Sequence, residues 1–89
     1  MEKILVEEKE KRDDEWIFGV TIEGVEYIVT VPKDYWEELT QKSVEPDELV
    51  RRSFEFLLAR EPKESILREF ELPVIQKYFP EYENAMKIF

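Results

Sequence analysis

The chain contains no cysteine and no histidine, and only two glycines, Gly19 and Gly24. Without cysteine there can be no disulfide, thiolate zinc site, iron–sulfur cluster or cysteine nucleophile. Without histidine, the commonest metal ligand and general base are missing, as is any imidazole pH switch. Two isolated glycines cannot build a phosphate-cradling loop. Apolar runs extend for only a few residues, so nothing reads as a membrane span or a signal peptide. A cytoplasmic location, with no membrane partner, is the expectation.

Basic charge is also scarce. Lysine plus arginine total 13 against 22 aspartates and glutamates, a formal net charge of −9 over 89 residues. The excess is spread along the chain. Residues 1–32 carry 4 basic and 9 acidic groups, residues 33–60 carry 5 and 7, and residues 61–89 carry 4 and 6. Nucleic-acid affinity rests mainly on neutralising phosphates, so this balance argues against DNA or RNA as the principal partner. What the chain has in quantity is apolar and aromatic side chains, 43% and 13% of residues. That is enough for a folded core, and the length suits one domain spanning residues 1–89.

The first third has the period of two that marks strands. Lys3 to Glu7 forms a short first strand, and the polar run Glu8 to Asp14 extends or ends it and makes a loop. Trp16, Phe18, Val20 and Ile22 share one face of a second strand. Glu23-Gly24 is a two-residue hairpin signal, and Val25 to Val31 returns with Val25, Tyr27, Val29 and Val31 on one face. A two-residue turn sets Ile22 opposite Val25, Val20 opposite Tyr27, Phe18 opposite Val29 and Trp16 opposite Val31. All eight large side chains then lie on the same side of the sheet. The other side carries Ile17, Gly19, Thr21, Glu26, Ile28 and Thr30.

Beyond residue 31 the pattern turns helical, and the prolines punctuate it. Pro32, Pro46, Pro62, Pro73 and Pro80 each stand where a helix could begin. The segments read as helices are Lys33–Lys42, Pro46–Arg60, Lys63–Phe70, Pro73–Phe79 and Pro80–Phe89. The second is the most apolar, with Leu49, Val50, Phe54, Leu57 and Leu58 on one face and Ser53 as a small inward residue. The expected fold is therefore α+β. A three-stranded antiparallel sheet (residues 1–31) precedes four or five helices (residues 33–89) packed on one of its faces.

No constellation for catalysis emerges. Serines 43, 53 and 65 have no histidine to activate them. Adjacent acids such as Asp13-Asp14 and Glu37-Glu38 do not share a face, and the Asp13-Asp14 loop lacks the alternating ligands and turn glycine of a calcium site. No enzyme activity, cofactor or metal is expected.

The stretch Tyr27-Ile28-Val29-Thr30-Val31-Pro32-Lys33-Asp34-Tyr35-Trp36-Glu37-Glu38-Leu39 reads strand, proline, amphipathic helix. Pro46-Asp47-Glu48-Leu49-Val50-Arg51-Arg52-Ser53-Phe54 then opens a second helix. Over residues 26–60 this order resembles the strand–helix–helix of ribbon-helix-helix regulators, including antitoxin components. The resemblance implies a dimer whose outward strand residues, here Glu26, Ile28 and Thr30, read bases in a DNA groove. A carboxylate and an isoleucine are poor readers of base edges.

A non-catalytic, antitoxin-like interaction or regulatory domain is thus the expected function. A DNA-binding regulator or an acidic nucleic-acid mimic is the alternative. The candidate contact residues are Ile17, Glu26, Ile28 and Thr30. The strand Val25–Val31 is expected to leave one edge unpaired, through which the chain forms a homodimer or captures another protein; the alternative is a monomer whose C-terminal helices, or an inserted first strand, cover that edge.

Overall fold

The Glu23-Gly24 turn fixes the sheet. In the computed structural model, which describes residues 3–87, Gly24 has φ +83° and Glu23 φ +48°. Two successive positive φ values match the right-handed twist of the flanking strands. The hairpin joins β2 (Glu15–Ile22) to β3 (Val25–Pro32). Ile22 pairs with Val25, Val20 with Tyr27, Phe18 with Val29 and Trp16 with Val31, the register expected from the sequence. Seven of these eight side chains are buried and Val25 is half-buried. Each full burial stabilises by about 1.5–3 kcal/mol. A one-residue slip would therefore cost about as much as the whole stability of a typical domain, about 5–15 kcal/mol.

Ahead of the hairpin, β1 (Ile4–Lys11) pairs antiparallel with β2. It runs four residues beyond Glu7, so much of the expected loop is strand. An irregularity between Glu8 and Glu10 leaves Lys9 outside the regular pairing. That bulge lets a charged, weakly strand-forming sequence remain in the ladder.

The two glycines have opposite tolerances. At Gly24 a side chain would meet open space but would have to adopt the left-handed conformation. That costs about 1–2 kcal/mol for an L-residue, and a β-branched one resists it most. At Gly19 a Cβ would lie 2.5 Å from the Cε of Lys9, the mobile end of a half-exposed side chain that can swing away. Gly24→Val is expected to lower the urea midpoint clearly. Gly19→Val should shift stability by no more than about 1 kcal/mol, because the strand gains a β-branched residue. Equal losses from both variants would refute this assignment.

The helices follow the prolines. α1 (Lys33–Thr40) begins directly after Pro32, and α2 (Pro46–Leu58) has Pro46 in its first turn. α3 (Val74–Tyr78) follows Pro73, and α4 (Tyr82–Met86) starts two residues after Pro80. Between α1 and α2, Gln41 and Lys42 have φ of +52° and +63° without a glycine. The Thr40 hydroxyl donates to the Trp36 carbonyl (2.8 Å) and accepts from the Lys42 N–H (3.1 Å), holding this turn. α2 lies against the apolar side of the sheet, with Phe54 5.3 Å from the Tyr27 ring and Arg51 donating to the Ile4 carbonyl at 2.6 Å. Trp36 of α1 meets Trp16 edge to face at 5.3 Å.

Two expectations are corrected by the segment after Pro62. Lys63–Phe70 is not a helix. Residues Lys63–Ser65 make one 3-10 turn, and Glu69–Glu71 forms a fourth strand, β4, parallel to β3. An isolated stripe of Ile66, Leu67 and Phe70 is too short to hold a helix by itself. Extended, the chain buries Ile66 and Leu72 and brings Phe70 to 6.0 Å from Phe54. Among the described residues the sheet thus has four strands in the order β1-β2-β3-β4, with four α-helices. The last two residues of the expected Pro80–Phe89 helix lie outside the described residues.

The second correction concerns the edge of β3. It is not open for a homodimer or a captured partner across residues 28–30, because β4 occupies it. The Ile28 N–H donates to the Arg68 carbonyl (2.7 Å), and the Leu72 N–H donates to the Thr30 carbonyl (2.9 Å). These bonds supply within the chain what a second copy was expected to supply.

Candidate functional site

All the strand side chains that alternate away from the core fall on one face of the sheet, where no helix of the described residues lies. From β1 come Leu5 and Glu7, and Glu10 registers with Ile17. From β2 come Ile17, Gly19 and Thr21, and from β3 come Glu26, Ile28 and Thr30. β4 adds Glu69, opposite Ile28, and Glu71, opposite Thr30. The four residues singled out from sequence are therefore on one surface. Ile17 pairs with Thr30 and Ile28 with Gly19, so the two isoleucines are diagonal neighbours near the middle of the sheet. Ile17, Ile28 and Thr30 are half-buried by their neighbours, Glu26 is exposed, and Leu5 is 51% exposed at the margin.

The electrostatics of this face have a pattern. Carboxylates stand on both flanks of the isoleucine pair, Glu7 and Glu10 on one side and Glu69 and Glu71 on the other, with Glu26 on β3. Among the described residues Lys9 and Arg12 answer them. The side chain of Lys9 lies across Gly19, whose missing Cβ leaves the space, and its ammonium sits 3.6 Å from Glu26 and 3.8 Å from Glu7. Glu10 is engaged by Arg12, which also reaches Glu15 at 3.0 Å. Glu69 and Glu71 make no ion pair among the described residues. The face can therefore hold a lysine stem over a glycine and its charge between two carboxylates, and it has further carboxylates unused.

Sequence reasoning found Ile17, Glu26, Ile28 and Thr30 because a period of two needs only the hairpin. It missed Glu69 and Glu71, since nothing local marks Glu69-Phe70-Glu71 as a strand. It also missed Lys9, whose place depends on a bulge. The alternation Glu-Phe-Glu was the available signal.

Polar groups elsewhere are committed to the fold. Ser53 donates to the Leu49 carbonyl (2.7 Å), which leaves Tyr82 to donate its hydroxyl proton to Ser53 Oγ at 2.6 Å, wholly inside the core. Burial pushes the Tyr82 hydroxyl well above the ordinary tyrosine range, against a smaller opposing effect of Ser53. Tyr35 is raised in the same direction by burial and by its 2.9 Å hydrogen bond to Glu83. Lys63 is raised by its hydrogen bonds to Glu23 and Glu64, at 2.9 and 3.2 Å. Among the described residues no group of acidic side chains is placed to hold a metal ion, and no helix is long and apolar enough to cross a membrane. No protein-family model, curated protein or solved structure matches this chain.

Proposed function

We propose that this chain is a small acidic interaction domain that acts without catalysis, by binding another protein through the uncovered face of its sheet. The observation that carries this is the isoleucine pair, Ile17 and Ile28, half-buried on the uncovered face between two flanks of carboxylates. Apolar side chains at the centre of a polar rim are the usual anatomy of a contact patch. The carboxylate excess favours a partner with lysine or arginine around an apolar centre. An antitoxin-like role, in which the domain occupies and silences a basic partner, is one form of this function. A second copy is a poor occupant of this face, because it would set like charges against one another.

The expected result is capture of a partner by the wild-type chain that weakens as salt rises. The double variant Ile17→Lys, Ile28→Lys should lose it by tenfold or more, a change of about 1.4 kcal/mol. Both side chains point away from the core, so the variant should keep its fold and its melting temperature within a few degrees. Duplex DNA at physiological salt should give no gel shift with either protein. Undiminished capture by the double variant, or a salt-sensitive DNA shift, would overturn the proposal.

A further inference from the structure

The sheet has two outer strands, and they are guarded very differently. The free edge of β1 carries the charged run Glu7–Lys11, a bulge at Lys9, and the Arg51 guanidinium on the Ile4 carbonyl. Charge, bulges and covering side chains are the devices that keep edge strands from pairing with other chains. β4 is short and carries the Glu69 and Glu71 carboxylates, but it has no lysine, bulge or proline within it. Its pairing with β3 uses the Arg68 carbonyl and the Leu72 N–H. Alternation in a parallel ladder then turns the N–H and C=O of Glu69 and Glu71 toward the open side.

Different chemistry flanks this edge on its two sides. On the helix side, Phe70 borders an apolar groove of about 210 Å³, lined also by Leu57, Leu67, Val74 and Tyr78, with Glu61 among them. Leu67 and Tyr78 are 50% and 67% exposed, two of the three large apolar side chains most open to solvent among the described residues. On the opposite side stand the Glu69 and Glu71 carboxylates. The groove is smaller than the roughly 300–1,000 Å³ of small-molecule sites and suits a single side chain.

We propose that the β4 edge is a strand-docking site for an extended, basic segment of a partner protein, in which apolar and cationic residues alternate. Side chains of an added strand point alternately to the two faces. One set would rest beside Phe70 in the groove, and the other would reach Glu69 and Glu71. The main-chain groups of those two glutamates would supply the hydrogen bonds. A second copy pairing edge to edge would bring Glu69 and Glu71 against their own kind, which disfavours it. The site shares Glu69 and Glu71 with the uncovered face, where Glu69 lies opposite Ile28, and it rests with the function above on the premise of a basic partner protein.

The test is an amide-resolved NMR titration of the full chain with the blocked peptide Lys-Val-Lys-Leu-Lys-Val-Lys. Saturable shifts at residues 67–71 and Tyr78 are expected, with slowed hydrogen exchange of the Glu69 and Glu71 amides. Leu67→Asp and Glu71→Lys, both at exposed positions, should each weaken binding about tenfold, or about 1.4 kcal/mol. The peptide N-methylated at alternate residues should not bind. Ile17→Ala, on a strand separated from β4 by β3, should bind the unmodified peptide normally, so that failure of the uncovered-face proposal leaves this one standing. The proposal is overturned by any of four results. These are no saturable binding, equal binding of the N-methylated peptide or of a helix-patterned peptide of the same composition, shifts that spare β4, or self-association through this edge.

Discussion

Phe54→Ala is expected to destabilise the chain by about 3–5 kcal/mol, the usual cost of deleting a buried aromatic side chain. Phe54 is fully buried in α2 and packs against both β3 and β4, with ring centroids 5.3 Å from Tyr27 and 6.0 Å from Phe70. At about 0.05–0.15 kcal/mol per residue, a chain of 89 residues has a total stability of the same order as this loss or a few times larger. The variant should be partly unfolded at 37 °C. β4 should loosen first, because three residues of strand hold little by themselves. Chemical denaturation measures the loss, and hydrogen exchange at Leu72 N–H reports the loosening. A loss below 1 kcal/mol would mean that α2 does not seat β4 as described.

Tyr82→Ala should produce a loss of similar size but a different pattern. α4 has only five residues and no side-chain cap, so it cannot persist without packing. Tyr82 is fully buried, lies 5.3 Å from Phe56 edge to face, and bonds Ser53. Its truncation should cost about 3–5 kcal/mol and release α4 ahead of global unfolding. Tyr82→Phe should cost only about 0.5–1.5 kcal/mol, since Ser53 keeps its bond to the Leu49 carbonyl. A pH signature accompanies the pair. Tyr82 and Tyr35 are both held above the ordinary tyrosine value of about 10, chiefly by burial. Their contribution is complete below that value. As pH rises past it, the unfolded chain ionises while the folded chain does not, and stability falls. Tyr82→Phe should flatten this alkaline loss. An unchanged slope would show that Tyr82 ionises freely in the folded chain.

The sheet and the helices were unequally legible. The β2–β3 register could be read to the residue, because a two-residue turn and eight alternating side chains leave one solution. The helix starts were legible because a proline stands at or just before each. β4 was not. Glu69-Phe70-Glu71 is three residues long, and its partner Ile28–Thr30 lies 41 positions earlier, joined in parallel through two α-helices. Local periodicity favoured a helix because Ile66, Leu67 and Phe70 have helical spacing, and only the long-range bonds to β3 decide against it. The same long-range fact moved the open edge from β3 to β4. The candidate surface divided accordingly. Ile17, Glu26, Ile28 and Thr30 follow from the hairpin alone, whereas Glu69, Glu71 and Lys9 depend on tertiary pairing and a bulge.

The most direct test of the uncovered sheet face is an isoleucine-methyl NMR spectrum of the chain, recorded with and without the partner that it captures. Ile17 and Ile28 are expected to shift or broaden on complex formation, while Ile22 and Ile75, buried on the helix side, keep their positions. Perturbation of Ile22 and Ile75 with Ile17 and Ile28 unmoved would contradict the central claim and assign the contact to the helical layer.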